Sequence, residues 1–255
     1  MTITEVFPHP TVKQVVFQVR FPNLFSMESK IGDLQTRIMK RFPESALLLR
    51  RQVVWADIGP GGKLENFPDE ASDESSRRIW QFKSKDGVEL NILTNALDIS
   101  SLTHKTYSNP TADSRFSDTI EFVMGAFLAV TQVPLFARIG LRYVDECPIP
   151  ALESERFKEY YSTTFPLDRF RLEDATELLS RFTVKRGDYF VRYVELIQVL
   201  PEGNKYILDF DGFGGNIESD KFLQTTDQLH TLISEEYEKT LKGPALNYMR
   251  TGHLE

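Results

Sequence analysis

Residues 178–213 read LLSRFTVKRGDYFVRYVELIQVLPEGNKYILDFDGF and contain three successive runs rich in β-branched and aromatic residues. Such runs are typical of β-strands, and we place three strands at 178–186, 189–200 and 204–213. The triplet Glu202-Gly203-Asn204 predicts the turn between the last two strands. An amphipathic pattern at 219–241 predicts a closing helix, which Gly243-Pro244 should end.

The same order of three strands and a helix occurs earlier in the chain, at 77–132. Within it, Asp86-Gly87 is a strong signal for a hairpin turn. At a constant offset of 106 residues, Val88-Glu89-Leu90 falls on Val194-Glu195-Leu196. We therefore predict an α+β fold of antiparallel meander sheets covered by long helices. Two related β-β-β-α halves explain the repeated order, and a chance match of apolar positions is the alternative.

The rest of the chain predicts further elements of the same kinds. Apolar residues alternate with polar ones at 15–21, which predicts a strand, and recur every three or four residues at 27–42, which predicts a helix. Strand-like runs at 47–57 and 136–146 predict two further strands. The chain then divides into an N-terminal α+β half at 1–147 and a C-terminal β-β-β-α half at 148–253, which pack as two domains or as one.

The overall composition argues against several classes of protein. The 255 residues include 37 acidic and 30 basic ones, giving a net charge of -7, whereas nucleic-acid-binding domains usually carry a basic excess. The single cysteine, Cys147, excludes an internal disulfide and any multi-cysteine zinc site, and it fits a cytoplasmic protein. The most apolar stretch, 122–137, is interrupted by polar residues and Pro134 and is too short to span a bilayer. We expect no nucleic-acid partner and no membrane contact.

A long polar segment at 58–76 begins with Gly59-Pro60-Gly61-Gly62-Lys63. It does not match the phosphate-binding loop, because Asp57 and Leu64 occupy the positions where that motif needs Gly and Ser or Thr. We interpret the segment as an acidic loop that is available to a protein partner.

Residues 138–145, RIGLRYVD, suggest a ligand site. On a strand, Arg138 and Arg142 lie on one face, on either side of Gly140, while Tyr143 lies on the opposite face. Guanidinium groups bind carboxylate and phosphate through planar pairs of donors. The sequence therefore predicts a pocket for a small anion, with Tyr143 and His230 as further neighbours. The alternative is an ion-pair ladder with acidic residues of a neighbouring strand, among them Asp209 and Asp211.

Asp209 and Asp211 are also weak candidates for a metal site, since two carboxylates on one strand face could hold a divalent cation. They do not form a calcium loop, because the later acidic positions of that motif are missing. His230 follows Asp227 by three residues on the predicted closing helix, but no second acidic-x-x-His unit is present to complete a dinuclear site. We expect no metal and no cofactor.

The strand at 138–145 resembles a conserved strand of a sporadically distributed prokaryotic protein family, which has the pattern R-[IV]-G-[LV]-R-Y-[IV]-N. The resemblance extends over nearly the full length and includes Trp80-Gln81-Phe82 before the hairpin and Leu229-His230 in the closing helix. Two departures are Asp145, where the family has Asn, and Gly243-Pro244, where the family continues a helix. The family has no established activity, and its patchy distribution implies carriage on mobile or defence-associated gene clusters.

Three functional hypotheses follow. In the first, which we favour, the chain is a non-enzymatic interaction or accessory protein, forms a homodimer or binds another protein, and uses exposed sheet edges or the loop at 58–76. In the second, it is a sensor for a small anionic ligand held by Arg138 and Arg142. In the third, it is a metal-dependent hydrolase that uses Asp209 and Asp211.

Overall fold

The computed structural model describes residues 5–50, 77–108, 115–201 and 203–254. Its strands are β1 (Val12–Arg20), β2 (Glu44–Arg50), β3 (Arg77–Lys83), β4 (Val88–Ile92), β5 (Ala96–Ser101), β6 (Leu135–Phe136), β7 (Arg138–Cys147), β8 (Glu177–Arg186), β9 (Tyr189–Gln198), β10 (Lys205–Gly214) and β11 (Ile217–Glu218). Its α-helices are α1 (Met27–Ile38), α2 (Phe116–Thr131), α3 (Ser154–Tyr160), α4 (Phe222–Thr240) and α5 (Gly243–Thr251).

Nine strands form one antiparallel sheet in the order β2-β3-β4-β5-β1-β7-β10-β9-β8, and β6 pairs with β11 separately. The prediction of antiparallel meander sheets covered by long helices is wrong in this respect, although the α+β class broadly fits. The reason is the central pairing of β1 with β7, which are far apart in the sequence. Period-two patterns identify strands but not their pairing partners, so the sequence did not reveal that one sheet runs through both predicted halves.

The helices pack on one face of this sheet, which is the face where the core lies. Along β1, Val15, Phe17 and Val19 are buried on that face, whereas the residues between them are only partly buried. Helix α4 lies across β7 and β10. At Gly212 a Cβ atom would stand 3.0 Å from Ile233 Cδ1, so the missing side chain allows α4 to approach the sheet closely. We call the opposite face the open face, because no helix of the described residues packs against it.

Most element positions agree with the sequence analysis, and the differences have local causes. Helix α4 ends at Thr240, and α5 begins at Gly243 with Pro244 in its first turn. Proline suits that place because the first N–H groups of a helix have no intrahelical acceptor. Gly243-Pro244 therefore begins a second helix, which Leu241 and Lys242 separate from α4, and does not end the helical region. The predicted strand at 47–57 overlaps β2 (Glu44–Arg50), and the rest of that strand, together with the loop at 58–76, lies outside the described residues. No helix in the described part of the chain is long and apolar enough to cross a membrane.

Candidate functional site

Strand β7 positions most of the predicted site residues, and its side chains alternate between the two faces of the sheet. Ile139 and Leu141 are fully buried in the core, and Tyr143 packs against it from the same face. Arg138 and Arg142 point to the open face and are partly exposed. The predicted division of 138–145 into two faces is confirmed.

Both arginines form ion pairs with aspartates of β10. Nη2 of Arg138 donates to both carboxylate oxygens of Asp211, at 2.8 Å each. Nε and Nη2 of Arg142 donate to the two oxygens of Asp209 at 2.7 and 2.6 Å. This bidentate arrangement raises the pKa of Arg142, first through the hydrogen bond from its guanidinium to Asp209. The ion-pair ladder, the alternative to an anion pocket, is therefore present.

Gly140 makes the first of these pairs possible. In the register of β7 with β10, Asp211 lies opposite Arg142 and Phe213 lies opposite Gly140. The side chain of Arg138 must therefore run along the strand to reach Asp211. A Cβ atom on Gly140 would lie 2.4 Å from Nη1 of Arg138. The guanidinium of Arg138 thus fills the space above Gly140, where the sequence predicted a pocket between two arginines.

The ladder extends across the middle of the open face. Nη1 of Arg138 donates to Oε1 of Gln18 at 2.7 Å, and Nε2 of Gln18 donates to Asp98 at 2.7 Å. Burial raises the pKa of Asp98, and the hydrogen bond from Gln18 acts against this shift. Arg192 places Nη1 3.8 Å from Asp211. We call Gln18, Asp98, Arg138, Arg142, Arg192, Asp209 and Asp211 the open-face network.

Asp209 and Asp211 are poorly suited to bind a metal ion. Each of the two carboxylates accepts two hydrogen bonds from an arginine, so each already has a cationic partner that balances its charge. Within the described residues, no group of three or more His, Cys, Asp or Glu residues is placed to hold a metal. Asp209 and Asp211 therefore act as partners of arginine in this structure.

Tyr143 and His230 meet each other on the helix-covered face, away from the arginines. The hydroxyl of Tyr143 and Nδ1 of His230 are 3.0 Å apart. Tyr107 stacks on the His230 ring with a centroid distance of 4.4 Å, and its hydroxyl donates to Asp227 at 2.7 Å. Burial lowers the pKa of His230 to about 4, although Asp227 acts in the opposite direction. The four predicted ligand-binding residues thus form two groups on opposite faces of β7.

A second polar cluster lies further along the helix-covered face of β7. Oγ1 of Thr11 donates to Oδ1 of Asp145 at 2.8 Å and also hydrogen-bonds the hydroxyl of Tyr237. Burial raises the pKa of Asp145 to about 7. Burial likewise raises the pKa of the Cys147 thiol, whose sulfur lies 4.0 Å from the Tyr237 hydroxyl. A buried, protonated thiol is a weak nucleophile, so Cys147 is a structural residue.

The sequence analysis missed Gln18, Asp98 and Arg192 as members of the open-face network. The alternation of side chains along β1, β5 and β9 assigns each of these three residues to one face of its own strand. Only the strand order shows that these faces adjoin Arg138 and Asp211.

No protein-family model matches the chain, and no curated protein or solved structure matches it. The resemblance to the sporadically distributed prokaryotic family stays a prediction. The anionic-ligand site at Arg138, Arg142, Tyr143 and His230 also stays a prediction, and a ligand at the arginines would have to replace their bonds to aspartate.

Proposed function

We propose that the chain is a non-enzymatic, cytoplasmic interaction protein that binds a protein partner on the open face of its sheet. The observation that carries the proposal is that the described helices pack on the other face, while the open face presents aromatic and arginine side chains. The single, buried Cys147 supports the cytoplasmic assignment, since such a thiol needs no oxidising compartment.

The contact surface lies where β8, β9 and β10 adjoin. Phe190 is 39% exposed and stacks on Phe213 with a centroid distance of 5.5 Å. The Arg192 guanidinium lies 5.8 Å from the Phe213 ring centroid, and Lys185 is paired with Phe190 in the register of β8 with β9. We call Lys185, Phe190, Arg192 and Phe213 the open-face patch.

The composition of this patch is that of a protein-binding surface. Aromatic residues and arginine are enriched at interfaces and supply most of the binding energy there. Beside the patch, the charges of Asp211 and Asp209 are balanced by Arg138 and Arg142. A partner therefore meets stacked aromatic rings next to two aspartates whose charges are already balanced.

Site-specific photo-crosslinking in the cells that make the protein tests the proposal. A photoreactive amino acid replaces Thr183, which is exposed beside Arg192 on the open face, and in a control it replaces Glu121, which is exposed on α2. We expect one protein adduct of constant mass from position 183, its loss in the Phe190→Ala background, and no such adduct from position 121. The same adduct from both positions, or none from position 183, overturns the proposal.

A further inference from the structure

Strands β8 and β9 place three basic residues next to one another on the open face. Arg181 and Lys185 are exposed on β8, and the side chain of Arg192 on β9 is 43% exposed. In the register of the two strands, Arg192 lies opposite Thr183. It is therefore the diagonal neighbour of both Arg181 and Lys185, at a distance of about 7–8 Å that long side chains can span. We call Arg181, Lys185 and Arg192 the basic triad.

The acidic residues around the basic triad do not match its charge. Asp211 lies opposite Arg192 in the register of β9 with β10, but both of its oxygens accept hydrogen bonds from another arginine. Glu177 shares a face of β8 with Arg181 but lies four residues away, about 13 Å along a strand. Asp188 is exposed in the turn that joins the two strands. Like charges on neighbouring positions destabilise a sheet, so the triad costs stability that an acidic partner would restore.

The aromatic rings beside the triad favour a protein segment over a nucleic acid. Proteins that bind single strands on a sheet stack the bases on aromatic rings. Phe213 already stacks on Phe190, and the Arg138 guanidinium lies over its ring at 4.7 Å from the centroid. A nucleic acid would also extend past the triad and meet a chain whose net charge is -7. Salt screens charges beyond about 8 Å, so a short acidic segment gains the attraction of the triad without that repulsion.

We propose that the protein partner of the open face contributes an extended segment with acidic residues at alternate positions, and that these bind the basic triad. The inference rests on the proposed function, because it names the chemistry of that partner. Side chains on one face of an extended segment repeat about every 6.6 Å, which is close to the spacing of Arg181, Arg192 and Lys185. A guanidinium has several N–H donors, so Arg192 can bind a carboxylate and remain close to Asp211.

Fluorescence anisotropy of the purified chain with two labelled peptides tests the spacing and the charge. One peptide has three glutamates separated by single threonines, and the other has the same composition with the glutamates consecutive. We expect the alternating peptide to bind more tightly, and its binding to weaken as salt is added. Lys185→Glu should weaken it by about tenfold or more, because a like charge then faces a carboxylate. The matched control Arg37→Glu, exposed on α1, should leave the affinity unchanged.

Three results of this titration overturn the proposal: equal affinity for the two peptides, no effect of Lys185→Glu, or equally tight binding of a single-stranded oligonucleotide. Photo-crosslinking from position 183 separates this inference from the proposed function. An adduct that persists in the Lys185→Glu background contradicts the acidic segment but leaves the interaction proposal in place. A missing adduct, together with peptide binding that Lys185→Glu weakens, overturns the proposed function and supports the acidic specificity of the triad.

Discussion

The two faces of β7 carry polar groups of similar density but balance their charges in opposite ways. On the open face, Arg138 and Arg142 are ionised and each faces an aspartate. On the helix-covered face, burial shifts the pKa of Asp145 and of His230 towards the neutral form. One strand thus shows both solutions to placing a polar group in a sheet: pairing of opposite charges beside solvent, and suppression of charge inside the core.

The largest effect that tests this comparison concerns Gly140 and Arg138. Gly140→Ala should displace the guanidinium and leave Asp211, whose side chain is 12% exposed, with Arg192 at 3.8 Å as its nearest cation. We expect a loss of about 3 kcal/mol in the free energy of unfolding, which is the lower end of the cost of removing one partner from a buried ion pair. Urea denaturation measures it. The control Gly125→Ala, inside α2 where a Cβ meets nothing within 4 Å, should cost nothing and should instead stabilise the protein by about 0.5–1 kcal/mol, because alanine favours a helix over glycine.

A double-mutant cycle shows whether Gly140 acts through Arg138. If it does, Gly140→Ala should add almost no cost in a protein that already carries Arg138→Ala, because the displaced group is absent. Equal costs of Gly140→Ala in the two backgrounds would show that the glycine serves another purpose.

These contacts indicate how far the sequence could define the site. The alternation within 138–145 correctly separated Arg138 and Arg142 from Tyr143, so the sequence already contained the reason why these residues do not form one pocket. The choice between an anion pocket and a ladder depended on which strand lies beside β7, and alternation carries no information about pairing. The contact of Tyr143 with His230 needed the position of α4 on the sheet. The fold shows the same limit, since strand and helix positions were predicted well but the joining of β1 to β7 was not.

The next effect concerns the buried carboxyl of Asp145. Its pKa in the folded protein is raised to about 7, above that of an unfolded chain, so its contribution to stability is complete below about pH 4 and is lost as pH rises towards 7. Asp145→Asn keeps a neutral acceptor for Thr11 and removes this loss. We expect the variant to be more stable than wild type at pH 8 by about 2 kcal/mol, since three pKa units set an upper bound of about 4 kcal/mol. Thermal unfolding followed from pH 4 to pH 8 measures it.

His230 supplies the control of opposite sign. Its pKa is lowered to about 4, so the stability it contributes is present above pH 6.5 and is lost as pH falls towards 4. His230→Gln should therefore weaken the loss of stability on acidification, whereas Asp145→Asn weakens the loss at higher pH. Identical pH profiles for the two variants would contradict the assignment of opposite shifts to the two groups.

The smallest effect concerns Arg142, whose side chain is 37% exposed. Arg142→Lys retains the positive charge but loses one of the two bonds to Asp209. Because solvent screens the pair, we expect a cost of about 0.5–1 kcal/mol. Melting in the presence of inorganic phosphate then separates the ladder from the predicted anion site. If Asp209 occupies the guanidinium, phosphate should shift the melting temperatures of wild type and variant equally. A larger shift in the wild-type protein would mean that an anion displaces the carboxylate, and that the ladder is the resting state of a ligand site.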